Sequence, residues 1–148
     1  MKLFPESQKS SFAYWFAHWR SFNLTAMLLG VWKFKYLFHD IEKPFLMWMW
    51  KDYPRVREWH RTHARHHWQY KGKNGYDFMA MVIDWECSRF SKADAQMNAW
   101  ETWLYDCQHH PEYIQYLLHD ILPILDRLHL SEVRQKRITI KYQNQQNL

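Results

Sequence analysis

Among the imidazoles and carboxylates of the first 84 positions, seven stand out by their order and grouping: His18, His39, Asp40, His60, His66, His67 and Asp84. Imidazole and carboxylate together suit divalent ions such as Mn, Fe, Co, Ni or Zn. His39 and Asp40 are neighbours, after an apolar run, and Lys43 follows three residues later. A carboxylate has two oxygens, so Asp40 could serve two ions at once. The residues occur in the order His, His-Asp, several His, Asp. That order reads as one metal site assembled from several helices, with the rest of the chain as its scaffold.

Helices must bring these residues together. Gly is scarce, three in 148 residues, so few turns can rely on positive φ. That disfavours a many-stranded sandwich and suits helices with short links. Phe12, Trp15, Phe16 and Trp19 have helical spacing, so a first helix is expected from Ser7 or Ser10 to about Arg20. His18 lies near its apolar face and, alone, would read as a packed core residue. Asn23 or Thr25 is expected to cap a second helix over 25–39. Its apolar positions nearly surround it, as in a central helix, and it delivers His39 and Asp40 at its end. Pro44 and Pro54 suit the first turns of two more helices, the second over 54–69. Within it His60, His63 and His67 stand at i, i+3 and i+7 and share a stripe. His66 can face either way, and a ligand role for His63 is open.

The Lys71–Gly75 loop is a helix stop. Its ammonium and backbone groups could meet a phosphate, or form a plain surface turn. Asp77 is expected to start a helix to about Arg89, with Asp84 among Phe78, Met81, Val82 and Trp85. A carboxylate buried there needs a cation or hydrogen bonds. Ser91 is expected to cap a helix over 92–107, and Pro111 to open a last helix to about His129. A second pair, His119-Asp120, has no companion His cluster and reads as structural. Cys107, His109 and His110 lack a second ligand pair at zinc-finger spacing.

The expected fold is therefore all-α: a single domain of about six to seven helices over 1–130, then a basic, polar tail over 131–148. Hydrophobic content of 47% with 19% aromatic residues excludes a disordered chain. The net charge of +5 suits an anionic partner, either a nucleotide, a nucleic acid or an acidic surface. A solvated basic face would give the same charge. Two cysteines without a CxxC pattern read as free thiols in a reducing compartment. No secretory apolar segment is visible, and the apolar stretch Leu24–Phe38 is interrupted by Lys33 and Lys35. A soluble, cytoplasmic protein with no membrane partner is expected (host cytoplasm, if the gene is a phage's).

His18, His39-Asp40 and Asp84 on successive helices resemble the HD-domain superfamily of metal-dependent phosphohydrolases. The string His39-Asp40-Ile41-Glu42-Lys43 is similar to its His-Asp-x-x-Lys core. His60 and the adjacent His66-His67 look like its two-metal branch, from which the chain departs at Trp68 and Asp77. A closer resemblance is to a small phage and bacterial family, over roughly residues 15–90. That family shows His, His-Asp-x-x-Lys, His…His-His-Trp and Met-x-x-Asp-Trp, here ending in Met81-Val82-Ile83-Asp84-Trp85.

The resemblance implies an HD-like helical bundle holding one or two divalent ions. His18, His39, Asp40 and Asp84 would bind one ion. His60, His66 and His67 would bind the second, with Asp40 bridging. Asp40 and Lys43 would be catalytic, Lys43 neutralising phosphate charge. Arg61, Arg65, Lys71 and Lys73 would steer an anionic substrate, a nucleotide before others. Other readings fit the same residues: an HD-fold di-iron oxygenase, or a non-catalytic module that binds nucleotides or nucleic acid or regulates a partner.

Overall fold

Gly30 decides where the first helix stops. Its φ is +70°, a left-handed conformation that side-chain-bearing residues adopt at a cost. Around it Gly30 N–H donates to Met27 O and Val31 N–H to Ala26 O, both at 3.0 Å. These two bonds close the helix with a Schellman motif. The long helix expected over 25–39 therefore does not form. Instead α1 (Phe12–Leu28) runs straight through Asn23 and Thr25, which are buried helix residues rather than caps. After Gly30 the chain turns back as a short 3-10 helix, Phe34–Phe38.

The computed structural model describes residues 12–70, 72–91, 97–113 and 117–130. Five further α-helices follow α1: α2 (Glu42–Trp50), α3 (Tyr53–His63), α4 (Gly75–Ser91), α5 (Ala99–His109) and α6 (Leu122–Arg127). No strand occurs among the described residues, so the fold is an all-α bundle. Ser7, Ser10, Lys71, the start of the helix expected at 92 and the tail at 131–148 lie outside the described residues.

The central helix is α4, not the segment 25–39. It is buried on almost every side, from Asp77 to Ser91, as a helix apolar nearly all round must be. α1 packs along it. Phe22 and Ala26 from α1, Val82, Ile83 and Cys87 from α4, and Leu125 from α6 are fully enclosed. Asn74, rather than Asp77, caps α4. Its side chain accepts from Tyr76 N–H and Asp77 N–H at 3.0 and 3.1 Å. Asp77 answers by accepting from Asn74 N–H at 2.9 Å, the reciprocal pairing of a capping box.

Three other expected boundaries move. α3 is capped by Asp52, which accepts from Arg55 N–H, but it ends at His63 and not near 69. Thr62 and His63 turn polar side-chain atoms onto Glu58 O and Trp59 O in the last turn, and such bonds compete with helix continuation. The stripe of His60, His63 and His67 is thereby broken. Ser91 is the last residue of α4, not a cap. The cap of α5 is Asn98, which exchanges reciprocal bonds with Glu101 at 2.9 and 3.0 Å. The expected helix over 111–129 is interrupted: the described part has a 3-10 turn at Pro111–Tyr113, a π turn at Leu117–Ile121 and then α6. No helix of the described residues is long and apolar enough to cross a membrane.

Replacing Gly30 with Ala meets no steric neighbour within 4 Å of the new Cβ, so only backbone strain acts. A loss of about 1 kcal/mol is expected, read as a lower urea midpoint with unchanged slope.

Candidate metal centre

Side chains of α1 clamp the 3-10 segment by its carbonyl oxygens. Trp15 Nε1–H donates to Asp40 O at 2.8 Å, and Trp19 Nε1–H to Leu37 O at 2.8 Å. Asn23 Nδ2–H donates to Tyr36 O at 3.3 Å, while Asn23 Oδ1 accepts from Trp32 Nε1–H. His39 lies flat on Phe22, with ring centroids 3.6 Å apart. Asp40 itself takes φ +57°. Asp tolerates this region better than most residues, yet it is sparsely populated and persists where the surroundings enforce it.

Thus held, the Asp40 carboxylate is 1% exposed and faces imidazoles from several elements. Oδ1 lies 3.1 Å from His60 Nε2, 3.3 Å from His66 Nε2 and 3.6 Å from His39 Nε2. Oδ2 lies 3.6 Å from His18 Nε2 and 2.5 Å from Lys43 Nζ. Asp84 Oδ1, from α4, stands 3.0 Å from His18 Nε2 and 3.8 Å from His39 Nε2. His67 completes the set by packing edge-on against His60 and beside His66. The structure therefore brings together all seven residues singled out as ligands, although the breaks between helices fall elsewhere than expected. His66 and His67 reach the centre from the turn after α3, not from its helical face. His63 does not join them: it is exposed and stacks on Trp59 at 4.3 Å.

The burial of these groups poses an electrostatic problem. His39 Nε2, Asp40 Oδ1, His60 Nε2, His66 Nε2 and His67 Nε2 are shut off from solvent and lack a well-formed hydrogen bond. Each unsatisfied buried polar atom costs about 1–3 kcal/mol. Burial pushes the His39 and His67 imidazoles well below their ordinary value, which favours the neutral form that coordinates metals. Burial alone would raise the Asp40 carboxyl. The positive charge of Lys43 and of His60 overrides it and holds Asp40 well below the usual carboxylate range. Burial likewise opposes charge on Lys43 and His60, but Asp40 outweighs it and raises both. A bound cation would satisfy the bare nitrogens and the carboxylate together. The ligand atoms of His18, His39 and Asp40 lie within 4.8 Å of one another, as do those of His60, His66 and His67, so the centre could hold one ion or two.

Two groups that the sequence did not single out orient the rings. Glu42 Oε1 lies 2.5 Å from His60 Nδ1, and Ser91 Oγ lies 3.1 Å from His18 Nδ1. Ser91 also donates to Cys87 O. Nothing in the sequence pointed to either: Glu42 sits in the unspecified gap between His39-Asp40 and Lys43, and Ser91 is far along the chain. Cys87 Sγ stands 4.0 Å from both His18 Nδ1 and Asp84 Oδ1.

Two cavities meet the centre. One, of about 410 Å³, is reached by His39, Asp40 and His66 and walled by Phe38, Trp59 and Tyr76. The other, of about 350 Å³, is reached by His67 and Asp84. The four cations expected to steer a substrate are placed differently. Arg65 lines the first cavity, but its guanidinium binds the Asp77 carboxylate at 3.0–3.2 Å. Arg61 lines the second. Lys73 turns its ammonium onto Trp68 O and Tyr70 O, tying the loop together. Lys71 lies outside the described residues. His119 of the other His-Asp pair is exposed, apart from the residues gathered here.

No protein-family model, curated protein or solved structure matches this chain. The centre is accordingly read from its own geometry.

Adding zinc or manganese to metal-free protein should raise its melting temperature. At a hundredfold excess over Kd the gain is about 2.7 kcal/mol. Asp40→Ala should abolish the shift in a thermal melt, and a variant that still gains would refute a shared carboxylate. A second expectation concerns Asp106, on the wall of the second cavity, whose carboxyl burial pushes up from 3.8 to about 6. The folded state then binds a proton more readily than the unfolded one between those values. Stability from this group therefore falls as pH rises through that window. Urea midpoints measured from pH 4 to 7 should fall less steeply in Asp106→Asn.

Proposed function

We propose that the chain is a metal-dependent phosphohydrolase or phosphodiesterase acting on a nucleotide or another phosphate ester. The supporting observation is the single buried Asp40 carboxylate, approached at one oxygen by His60, His66 and His39 and at the other by His18 and Lys43. Divalent ions held by these residues would supply Lewis acidity and an activated water for an in-line displacement.

The chain's own residues do the rest. Burial keeps the His39 and His67 imidazoles neutral, and packing holds the rings in place, so the centre is organised before substrate arrives. The Lys43 side chain is 26% exposed while bound to Asp40, so its ammonium is placed to neutralise phosphate charge next to the ligands. The first cavity has the volume of a small-molecule site. Its aromatic walls offer stacking faces, and Lys35 lies over Tyr76, adding positive charge beside them. A nucleoside phosphate suits both features, and the +5 net charge favours an anion.

One observation favours a second reading. Five imidazoles against two aspartates is a nitrogen-rich set that suits iron as well as zinc or nickel, and a di-iron oxygenase would use it to activate dioxygen. Elemental analysis of protein purified without a His tag separates the two, together with assays of phosphate release and of oxygen uptake.

A panel of nucleotides with Mn, Fe, Co, Ni or Zn should give phosphate or phosphodiester cleavage. Asp40→Ala should lose both bound metal and turnover. Lys43→Ala should keep the metal and lower kcat about 10²-fold or more, whereas lost metal would make Lys43 structural. His119→Ala should leave turnover unchanged.

A further inference from the structure

We propose that Glu42 is a positioning residue for one of the two cation positions, the one built from His60, His66 and His67, and sets its affinity apart from that of the Asp84 position. The inference rests on reading the centre as a cation site. A carboxylate only accepts, so the 2.5 Å contact between Glu42 Oε1 and His60 Nδ1 places the ring proton on Nδ1. Nε2 is then the nitrogen left for a cation, and it faces Asp40 Oδ1, 3.1 Å away. A cation taken up there would replace any proton on Nε2 and be met by the ring nitrogen and the carboxylate together. The same carboxylate makes His60 a more basic ligand and holds its ring plane, the usual service of a carboxylate behind a metal-bound imidazole.

Geometry confines the effect to one side of the centre. Glu42 precedes Lys43 in the first turn of α2, and its carboxylate touches His60. On the Asp84 side, His18 has a different partner, the neutral hydroxyl of Ser91. The two positions therefore differ in what stands behind their imidazoles: a charge in one case, a dipole in the other. A charged acceptor binds an N–H about twice as strongly as a neutral one.

Zinc titrations of the metal-free full-length protein test this, by calorimetry and by native mass spectrometry. The unaltered protein should take up two ions. In Glu42→Ala one of the two should bind about 10–100-fold more weakly, with the other unchanged. Glu42→Gln, which can still accept from Nδ1–H but carries no charge, should fall between. Glu58→Ala, on the exposed side of α3, should match the unaltered protein. In the zinc-loaded protein, nitrogen-15 spectra should show His60 bound through Nε2 with a proton on Nδ1. The inference is overturned by a Glu42→Ala titration that matches the unaltered protein or weakens both ions equally. It is also overturned by zinc on His60 Nδ1, or by Glu42→Gln losing as much as Glu42→Ala, which would make Glu42 a direct ligand. If the unaltered protein takes up no zinc or other divalent ion, the reading of the centre itself fails; a Glu42→Ala protein that binds normally defeats the Glu42 assignment alone.

Discussion

The structure turns on one buried negative charge. Asp40 has almost no contact with solvent, and a carboxylate in that position is tolerated only with compensating charge and hydrogen bonds. Lys43 supplies part of it directly. The remainder comes from a ring of imidazoles, two of which burial keeps neutral. Neutral imidazoles cannot offset a carboxylate as lone-pair donors pointed at its oxygens. Sharing a cation with it would let them do so, and Lys43 and the raised His60 carry the charge otherwise.

The scaffold serves that charge in identifiable ways. The indoles of Trp15 and Trp19 and the amide of Asn23 grip three carbonyls of the segment that ends in Asp40. They do so from one helix, at successive turns, which is why α1 has to continue through Asn23 instead of ending there. Phe22 supports the His39 ring from below by face-to-face stacking. With its backbone fixed in a left-handed conformation, Asp40 is held by its neighbours rather than by its own preference. Such over-determined strain accumulates at functional sites. α4 contributes Asp84 from within a helix buried on nearly all sides, a rigid mount that a loop would not provide.

The two cavities give the centre two different surroundings. One is aromatic, with Phe38, Trp59 and Tyr76; the other includes Arg61 and the proton-retaining Asp106. Of the basic residues between α3 and α4, Arg65 and Lys73 hold the loop in shape, through Asp77 and through the carbonyls of Trp68 and Tyr70. That loop carries His66 and His67. Charge that would read as substrate attraction on the sequence is thus also the means by which two ligands reach the centre without a helix to hold them.

The chemical cast was legible in the chain: the identities of His18, His39, Asp40, His60, His66, His67 and Asp84 and their order. So was the helical class, because scarce glycine and helical apolar spacing are local properties. Helix ends were legible where the signal is local, as at Pro54, which lies in the first turn of α3. They were misread where a cap competes with packing: Asn23, Thr25 and Ser91 have capping side chains, but all three are buried in helices, and the polar atoms of Asn23 and Ser91 are used inside the bundle. Gly30 was the missed signal, since a single left-handed residue outweighs a continuous apolar run. Packing settled that His66 and His67 join from a turn while His63 faces solvent, because α3 ends at His63 and the chain leaves the helical stripe there. It also decided the partners of the rings, Glu42 and Ser91. Those contacts form between residues 18 and 73 positions apart, a distance across which no local pattern carries information.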